Sequence, residues 1–128
     1  MTYRGDSASP DIAALSDDFR ATAIAWNEST SSVRESNRLI KRLGGFIATL
    51  AETQEGRRGL ERLMTDSEPA VRLMAARSCL DWAPEAAVPV LEEIERGTGL
   101  AYRGSPMIAV IYLDEYRKRS VGRAHDAE

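Results

Sequence analysis

Apolar side chains recur three or four positions apart along most of this chain, which is the spacing of one face of an α-helix. The first such stripe consists of Leu15, Phe19, Ala23 and Trp26. The hydroxyl of Ser16 can accept a hydrogen bond from a free backbone N–H, so we expect the helix to open near this residue. The polar run NESTSS, residues 27–32, favours side-chain to backbone hydrogen bonds over helix and predicts its end.

The longest predicted helix covers Val33 to Thr53. Its apolar stripe consists of Val33, Ile40, Leu43, Ile47 and Leu50, and it is widened by Leu39 and Phe46. Gly44-Gly45 interrupts the middle of this helix, although each glycine costs about 1 kcal/mol relative to alanine. Two interpretations stay open for the pair: a kink in the helix, or a site where another backbone comes close.

The segment EGRRG, residues 55–59, predicts a break before a short helix over 60–64. Ser67 and Pro69 then form a typical helix start, because proline is well tolerated in the first turn. The helix that follows is apolar on more than one side between residues 71 and 82. A helix of this kind is buried from two directions, so we place it in the core.

Proline residues mark the remaining helix boundaries. Pro84 ends one helix and starts the next, and Pro89 falls in the first turns, where its missing N–H does little harm. A glycine-bearing loop covers residues 96–106, and Ser105 with Pro106 starts a last helix that ends near the basic residues 117–119. No alternating strand pattern is found, so the prediction is an all-α fold of five to six helices forming an α-α superhelix.

A chain of 128 residues with 43% hydrophobic residues predicts one globular domain. We place this domain at residues 15–119, between flexible tails at 1–14 and 120–128. No apolar run reaches the roughly 20 residues that a membrane span needs, and the N-terminus lacks the apolar region of a secretory signal. Cys79 is the single cysteine and cannot form an internal disulfide, which favours a reducing cytoplasm.

The unit LERLMTDSEPAVRLMAARSCL, residues 60–80, resembles a HEAT repeat. In such a unit Asp66 caps the turn between two helices, while Val71 and Ala75 let the second helix sit close to its neighbour. Arg72 can reach the turn and pair with a carboxylate or with backbone carbonyls. The segments AVPVLEEI and MIAVIYLDEY are similar to the two helices of a degenerate next unit.

Residues 15–119 also resemble an uncharacterised bacterial domain-of-unknown-function family, DUF twenty-nineteen. The resemblance rests on the segments SNRLIKRL, AVRLMAARSCLDWAPEAAVPVLEEI and GSPMIAVIYLDEY. It implies a small α-α superhelical domain of the HEAT/armadillo type. It implies no activity, cofactor or catalytic residue.

The residues that usually carry chemistry are few and isolated. His125 is the only histidine and lies in a polar segment, while Cys79 lies within an apolar helix, where a free cysteine usually acts as a small hydrophobic residue. The sequence contains no phosphate loop, dinucleotide motif, nucleophile elbow or zinc-ligand set. Trp26 and Trp82 fit core anchors better than ligand contacts. We therefore predict a non-enzymatic protein without a metal or cofactor.

The candidate partner-binding residues lie in two segments. Tyr102 and Arg103 belong to the glycine-bearing loop, and Tyr and Arg are favoured in binding sites. Arg57 and Arg58 belong to a locally basic stretch from Arg34 to Arg62. That stretch is either a solvated helix face or a contact surface.

Three functions follow from these patterns. The first is a protein-binding scaffold or adaptor, with an antidote or immunity-like role suggested by fold analogy alone. The second is nucleic-acid binding through Arg34–Arg62, although the net charge of −3 makes nucleic acid an unfavoured partner. The third is an enzyme without a recognisable signature. Repeat arrays usually need about three units, so either the helix over 33–53 caps the array or two chains pair through an apolar flank; we favour the homodimer.

Overall fold

The computed structural model describes residues 11–29, 32–99 and 101–126, with side chains up to Val121. All of its regular structure is helical, which confirms the predicted all-α fold. The six helices are α1 Ile12–Glu28, α2 Val33–Leu50, α3 Gln54–Leu63, α4 Pro69–Cys79, α5 Pro84–Glu95 and α6 Ser105–Asp126. Of the N-terminal tail predicted at residues 1–14, residues 1–10 lie outside the described residues, whereas residues 12–14 belong to α1. No helix in the described ranges is long and apolar enough to cross a membrane.

Helix α4 occupies the centre of the molecule and packs against α1, α3, α5 and α6. Nine of its eleven residues are buried, as the apolar pattern on several sides predicts. Small side chains, among them Ala75 and Ala76, allow neighbouring helices to approach from different directions. Each helix also packs against the next one along the chain, so the fold is a series of helical hairpins arranged around α4.

Helix α1 begins four residues earlier than predicted. Asp11 is its N-cap, and the carboxylate of Asp11 accepts a hydrogen bond of 3.1 Å from the backbone N–H of Ala14. Ser16 lies inside the helix, where its hydroxyl is buried. Ile12 and Leu15 pack against the core cluster that holds Phe19, so the burial of this first turn extends the helix beyond the predicted cap.

Helix α2 is shorter than predicted and buries only part of its predicted apolar face. It begins after the cap Ser32, and it ends at Leu50 because Thr53 caps α3 instead of continuing α2. Its buried residues are Leu39, Leu43 and Leu50. Val33 and Ile40, which the periodicity assigned to the apolar face, are 78% and 39% exposed. Helix α2 packs mainly on α1 and α3, so a single narrow stripe is enough to hold it.

The predicted break at residues 55–59 is wrong, because these residues lie inside α3. The hydroxyl of Thr53 accepts a hydrogen bond of 2.9 Å from the N–H of Gly56 and starts the helix there. Gly56 and Gly59 are buried, and a Cβ atom at Gly56 would overlap the carbonyl of Leu50. Gly56 permits close packing at the α2–α3 junction, and Gly59 permits the approach of α3 to Ile12 and Ser16 on α1. In the sequence alone, both glycines resemble helix breakers.

Helices α5 and α6 also differ from the prediction in detail. Pro84 is the first residue of α5, as expected, but Pro89 is the sixth residue and removes one intrahelical hydrogen bond. Helix α6 continues to Asp126 instead of ending near Arg119. Basic side chains favour a helix C-terminus but do not stop a helix, so the residues that follow continue it.

Candidate partner-binding groove

Asp66 and Arg72 hold the turn between α3 and α4. The guanidinium of Arg72 donates hydrogen bonds to the backbone carbonyls of Asp66 and Ser67, at 2.8 and 3.2 Å. It also forms an ion pair with Glu93 on α5, with 3.3 Å between Arg72 Nη2 and Glu93 Oε1. The Asp66 carboxylate accepts a bond of 2.8 Å from Arg20 on α1, which raises the pKa of that guanidinium. These contacts join three helices around one turn, so Asp66 and Arg72 have structural roles.

Tyr102 anchors the loop between α5 and α6 to α5. Its hydroxyl donates a hydrogen bond of 2.9 Å to the carboxylate of Glu93, and its ring packs directly on Gly97. A Cβ atom at residue 97 would overlap that ring, so the contact requires glycine. The structure therefore uses Tyr102 within the chain, although the sequence suggested it as a partner contact.

Arg103 differs from its neighbour because its side chain is exposed. Its backbone has a φ of 45°, in the left-handed region that residues other than glycine rarely adopt. Arg103 lies at a cleft of about 610 Å³ between the end of α1 and the start of α6. Trp26, Met107 and Ile108 provide the apolar walls of this cleft. The sequence placed Trp26 in the core, but it is only partly buried and faces this cleft.

Arg57 and Arg58 lie on α3, but their side chains have different surroundings. Arg57 donates a hydrogen bond of 2.8 Å to the carbonyl of Ala51, and its guanidinium lies 5.4 Å from the centre of the Trp82 ring. The indole N–H of Trp82 donates to Glu61 at 2.9 Å. Arg58 is exposed on the surface of the helix. Arg57 and Trp82 thus belong to one packed cluster, and Trp82 also lines a second groove.

The basic stretch from Arg34 to Arg62 is divided between two helices. Its first half lies on α2 and its second half on α3. Arg38 forms an ion pair of 2.6 Å with Glu35 on the same helix, and this contact holds the pKa of Glu35 below its usual range. Arg42 stacks on the ring of Phe46, with 5.4 Å between the guanidinium carbon and the ring centre. Some of these basic side chains are therefore engaged in contacts within the chain.

A groove of about 480 Å³ lies between the C-terminal end of α2, the C-terminal end of α4 and the middle of α6. We call it the Tyr112 groove. Its apolar surface comes from Ile47 and Leu80 together with the half-buried rings of Trp82 and Tyr112. Helix α6 is far from α2 in the sequence, so the groove forms only when the chain has folded.

Charged residues of both signs surround this apolar surface. Arg77 lies with its guanidinium carbon 4.9 Å from the centre of the Tyr112 ring, a cation–π contact. Lys118 and Arg119 add two further positive charges, and Asp81 and Glu115 add two negative ones. Burial raises the pKa of Tyr112, so its hydroxyl remains protonated at neutral pH and acts as a hydrogen-bond donor, here towards Met74.

Most residues of the Tyr112 groove were not predicted from the sequence. Trp82 was predicted to be structural and Arg57, which stacks on Trp82, to contact a partner, but no role was predicted for Arg77 or Tyr112. The available signal was a second arginine on the largely apolar helix α4. Arg72 is used within the chain, whereas Arg77 is exposed on a helix whose other residues are mostly buried, so it marks a side of α4 that faces solvent.

The thiol of Cys79 is enclosed in the core. Cys79 is fully buried, and burial raises the pKa of its thiol to about 12, with the Glu61 carboxylate adding to the shift. At neutral pH this thiol is protonated and closed to solvent, so it is not a nucleophile. Within the described ranges, no group of three or more His, Cys, Asp or Glu residues is placed to hold a metal ion.

No protein-family model, curated protein or solved structure matches the chain. The resemblance to a HEAT-like family therefore remains a prediction from the sequence, and the function has to be argued from the geometry of the molecule.

Proposed function

We propose that this protein is a non-enzymatic scaffold that binds a peptide segment of a partner protein in the Tyr112 groove. The groove itself is the observation that carries the proposal. It combines a concave apolar surface with aromatic and arginine side chains, which are the residue types that dominate the energy of protein interfaces. Its charged rim can provide orientation and specificity to an otherwise apolar contact.

The charges of the groove indicate the chemistry of the peptide. Arg77 and Arg119 can pair with carboxylates of a partner, while Asp81 and Glu115 can accept hydrogen bonds from its backbone N–H groups. The rings of Trp82 and Tyr112 can receive an apolar side chain between these polar positions. A segment that carries an apolar residue next to an acidic one fits this arrangement.

Nucleic-acid binding is the second candidate, and the basic stretch from Arg34 to Arg62 motivates it. Several features favour a peptide instead. The carboxylates of Asp81 and Glu115 in the Tyr112 groove would repel phosphates, and Arg57 and Arg77 already cover the rings that could stack on bases. The net charge of −3 adds to this disadvantage.

The proposed scaffold role agrees with the resemblance to the HEAT/armadillo type, which we retain as a proposal. The helical hairpins packed around α4 and the contact of Arg72 with the α3–α4 turn are compatible with such a repeat. A bacterial adaptor, or an antidote that blocks a toxin, would use a groove of this kind to hold a segment of its target.

Selection from a random peptide library displayed on phage tests the proposal. We expect the protein to enrich peptides that contain an apolar and an acidic residue, and amide chemical shifts to change around Arg77 and Tyr112 when such a peptide is added. The variant Arg77→Glu/Arg119→Glu should weaken this binding by about tenfold or more, because it replaces two attractive charges by repulsive ones.

The matched control is Arg34→Glu/Arg58→Glu, which makes the same charge change on the exposed basic stretch. It should bind the selected peptide with nearly unchanged affinity. If the control loses binding and the groove variant keeps it, the groove is not the site. Failure to enrich any peptide, together with salt-dependent binding of DNA or RNA that Arg34→Glu/Arg58→Glu abolishes, would establish the second candidate instead.

A further inference from the structure

The outward face of α6 carries a regular stripe of exposed side chains. The stripe consists of Met107, Ile111, Asp114, Lys118 and Val121, and we call it the α6 stripe. It lies opposite the buried residues Ser105, Ala109 and Leu113, so it points away from the core. Met107 is 72% exposed, Ile111 45% and Val121 69%, and these three are among the most exposed large apolar side chains of the described residues.

The spacing of the α6 stripe is 4, 3, 4 and 3 residues, which is the heptad spacing of a coiled-coil seam. A helix that presents such a seam to solvent is suited to pack along a second helix. The seam has apolar residues towards both ends and one opposite-charge pair, Asp114 and Lys118, between Ile111 and Val121. Within one chain these two side chains form an exposed ion pair of 3.0 Å between Asp114 Oδ2 and Lys118 Nζ.

From this pattern we propose that the α6 stripe pairs with the α6 stripe of a second copy of the chain, in antiparallel orientation. When Asp114 faces Lys118 of the second copy, the two-fold symmetry places Lys118 opposite the other Asp114. The same register places Ile111 opposite Val121 of the second copy, again twice. Positions 111, 114, 118 and 121 are thus self-complementary, as a symmetric dimer interface requires.

Parallel pairing lacks this complementarity. In a parallel dimer each position of the seam meets its own copy, so Asp114 would face Asp114 and Lys118 would face Lys118. Like charges at the centre of an interface are costly, and this cost selects the antiparallel arrangement. A shorter antiparallel register that joins Met107 to Ile111 would bury apolar surface but would leave Asp114 and Lys118 without interchain partners.

The dimer goes beyond the proposed function and does not depend on it. The Tyr112 groove lies on a flank of α6, where Tyr112, Glu115 and Arg119 point, whereas the stripe points directly outward. Lys118 is the one residue shared by the two surfaces. The groove variant Arg77→Glu/Arg119→Glu should therefore leave the dimer intact, which separates failure of one proposal from failure of the other.

Cysteine cross-linking tests the register. We expect Ile111→Cys/Val121→Cys to form a covalent dimer under mild oxidation, because the two cysteines face each other between copies. Within one helix they are ten residues and about 15 Å apart, too far for a disulfide. The single variant Ile111→Cys should stay monomeric in denaturing electrophoresis, and Cys79 adds no background because it is buried.

Each other cross-linking result contradicts the proposal. A covalent dimer of Ile111→Cys alone would indicate parallel pairing. Cross-linking of Met107→Cys/Ile111→Cys, with none for Ile111→Cys/Val121→Cys, would indicate the shorter register. Absence of covalent dimers in all three variants would show that the stripe does not pair with itself.

Charge reversal gives a second readout without cysteines. In sedimentation equilibrium we expect the unmodified protein to dimerise and Asp114→Lys to weaken the dimer by about tenfold or more, because two like-charge pairs replace two attractive ones. The swap Asp114→Lys/Lys118→Asp restores opposite charges and should recover the dimer. A clean monomer of the unmodified protein at about millimolar concentration, or a swap as weak as the single variant, would overturn the proposal; circular dichroism verifies that every variant is folded.

Discussion

Two pairs of glycines in neighbouring helices have opposite roles. In the middle of α2, a Cβ atom at Gly44 or Gly45 would meet no other atom within 4 Å. In α3, a Cβ atom at Gly56 would overlap the backbone of Leu50, and one at Gly59 would lie 3.2 Å from the side chain of Ile12. Gly44 and Gly45 lie on an exposed stretch of α2, whereas Gly56 and Gly59 lie where α3 approaches α1 and α2. The effect of a glycine therefore depends on what lies beyond its Cα atom.

Gly56→Ala should have the largest effect, because the atom in the way is a backbone carbonyl that cannot rotate aside. We expect a loss of about 3 kcal/mol or more in the free energy of unfolding, measured by urea denaturation. Relief of the overlap requires the start of α3 to move away from the end of α2. A loss below about 1 kcal/mol would mean that the α2–α3 junction is looser than the structure shows.

Arg72→Ala should come next, since it removes the side chain that ties the α3–α4 turn to α5. Arg72 is 16% exposed and bonds to two carbonyls and to Glu93, so we expect a loss of about 2 kcal/mol in the free energy of unfolding. Arg72→Lys should recover only part of this loss, because one ammonium group cannot span these acceptors.

Arg38→Ala is the matched control for Arg72→Ala. Its ion pair with Glu35 is exposed on α2, so the free energy of unfolding should change by less than about 0.5 kcal/mol. Equal losses for the two arginine variants would show that the partly buried network around the turn adds no more to stability than an exposed ion pair does.

Gly44→Ala/Gly45→Ala should act in the opposite direction and stabilise the protein. Each alanine lowers the conformational entropy of the unfolded chain and meets no steric obstacle in α2, so we expect a gain of about 1 to 2 kcal/mol for the pair. Thermal denaturation followed by circular dichroism measures it. Destabilisation would indicate that a bound partner or a second chain normally occupies the space beside these glycines.

Gly59→Ala should have the smallest effect of the glycine substitutions. The nearest atoms are the methyl group of Ile12 and the hydroxyl of Ser16, at 3.2 and 3.3 Å, and both belong to side chains that can shift slightly. The gain in helix propensity offsets this adjustment, so we expect a change within about 1 kcal/mol in either direction. It is the matched control for Gly56→Ala, and a loss as large as at Gly56 would show that the whole of α3, not one carbonyl, resists a side chain.

The comparison of glycines also shows where sequence patterns succeed and fail. The apolar pattern on several sides of residues 71–82 correctly predicted a helix buried from more than one direction. The same kind of reasoning placed a break at residues 55–59 and assigned Val33 and Ile40 to a buried face. Periodicity reports which residues share a face, but it does not report whether a neighbouring helix covers that face.

The candidate groove was less predictable than the fold. Arg77 lies on α4, Trp82 lies in the turn after α4 and Tyr112 lies on α6, beyond the whole of α5. Only the packing of α6 beside α4 brings these residues together. Tyr102 shows the converse: its type and its loop suggested a partner contact, yet its hydroxyl and ring are used to fasten that loop to α5.

The sequence by itself determined the helical class of this protein, its central helix and the burial of Cys79, because these follow from local periodicity and from the chemistry of single side chains. It also contained the heptad spacing of the α6 stripe. Only the tertiary structure decided which glycines permit close contact, which apolar faces stay exposed and where a groove forms. Those properties depend on distances between segments that are remote in the chain, and no local pattern encodes such distances.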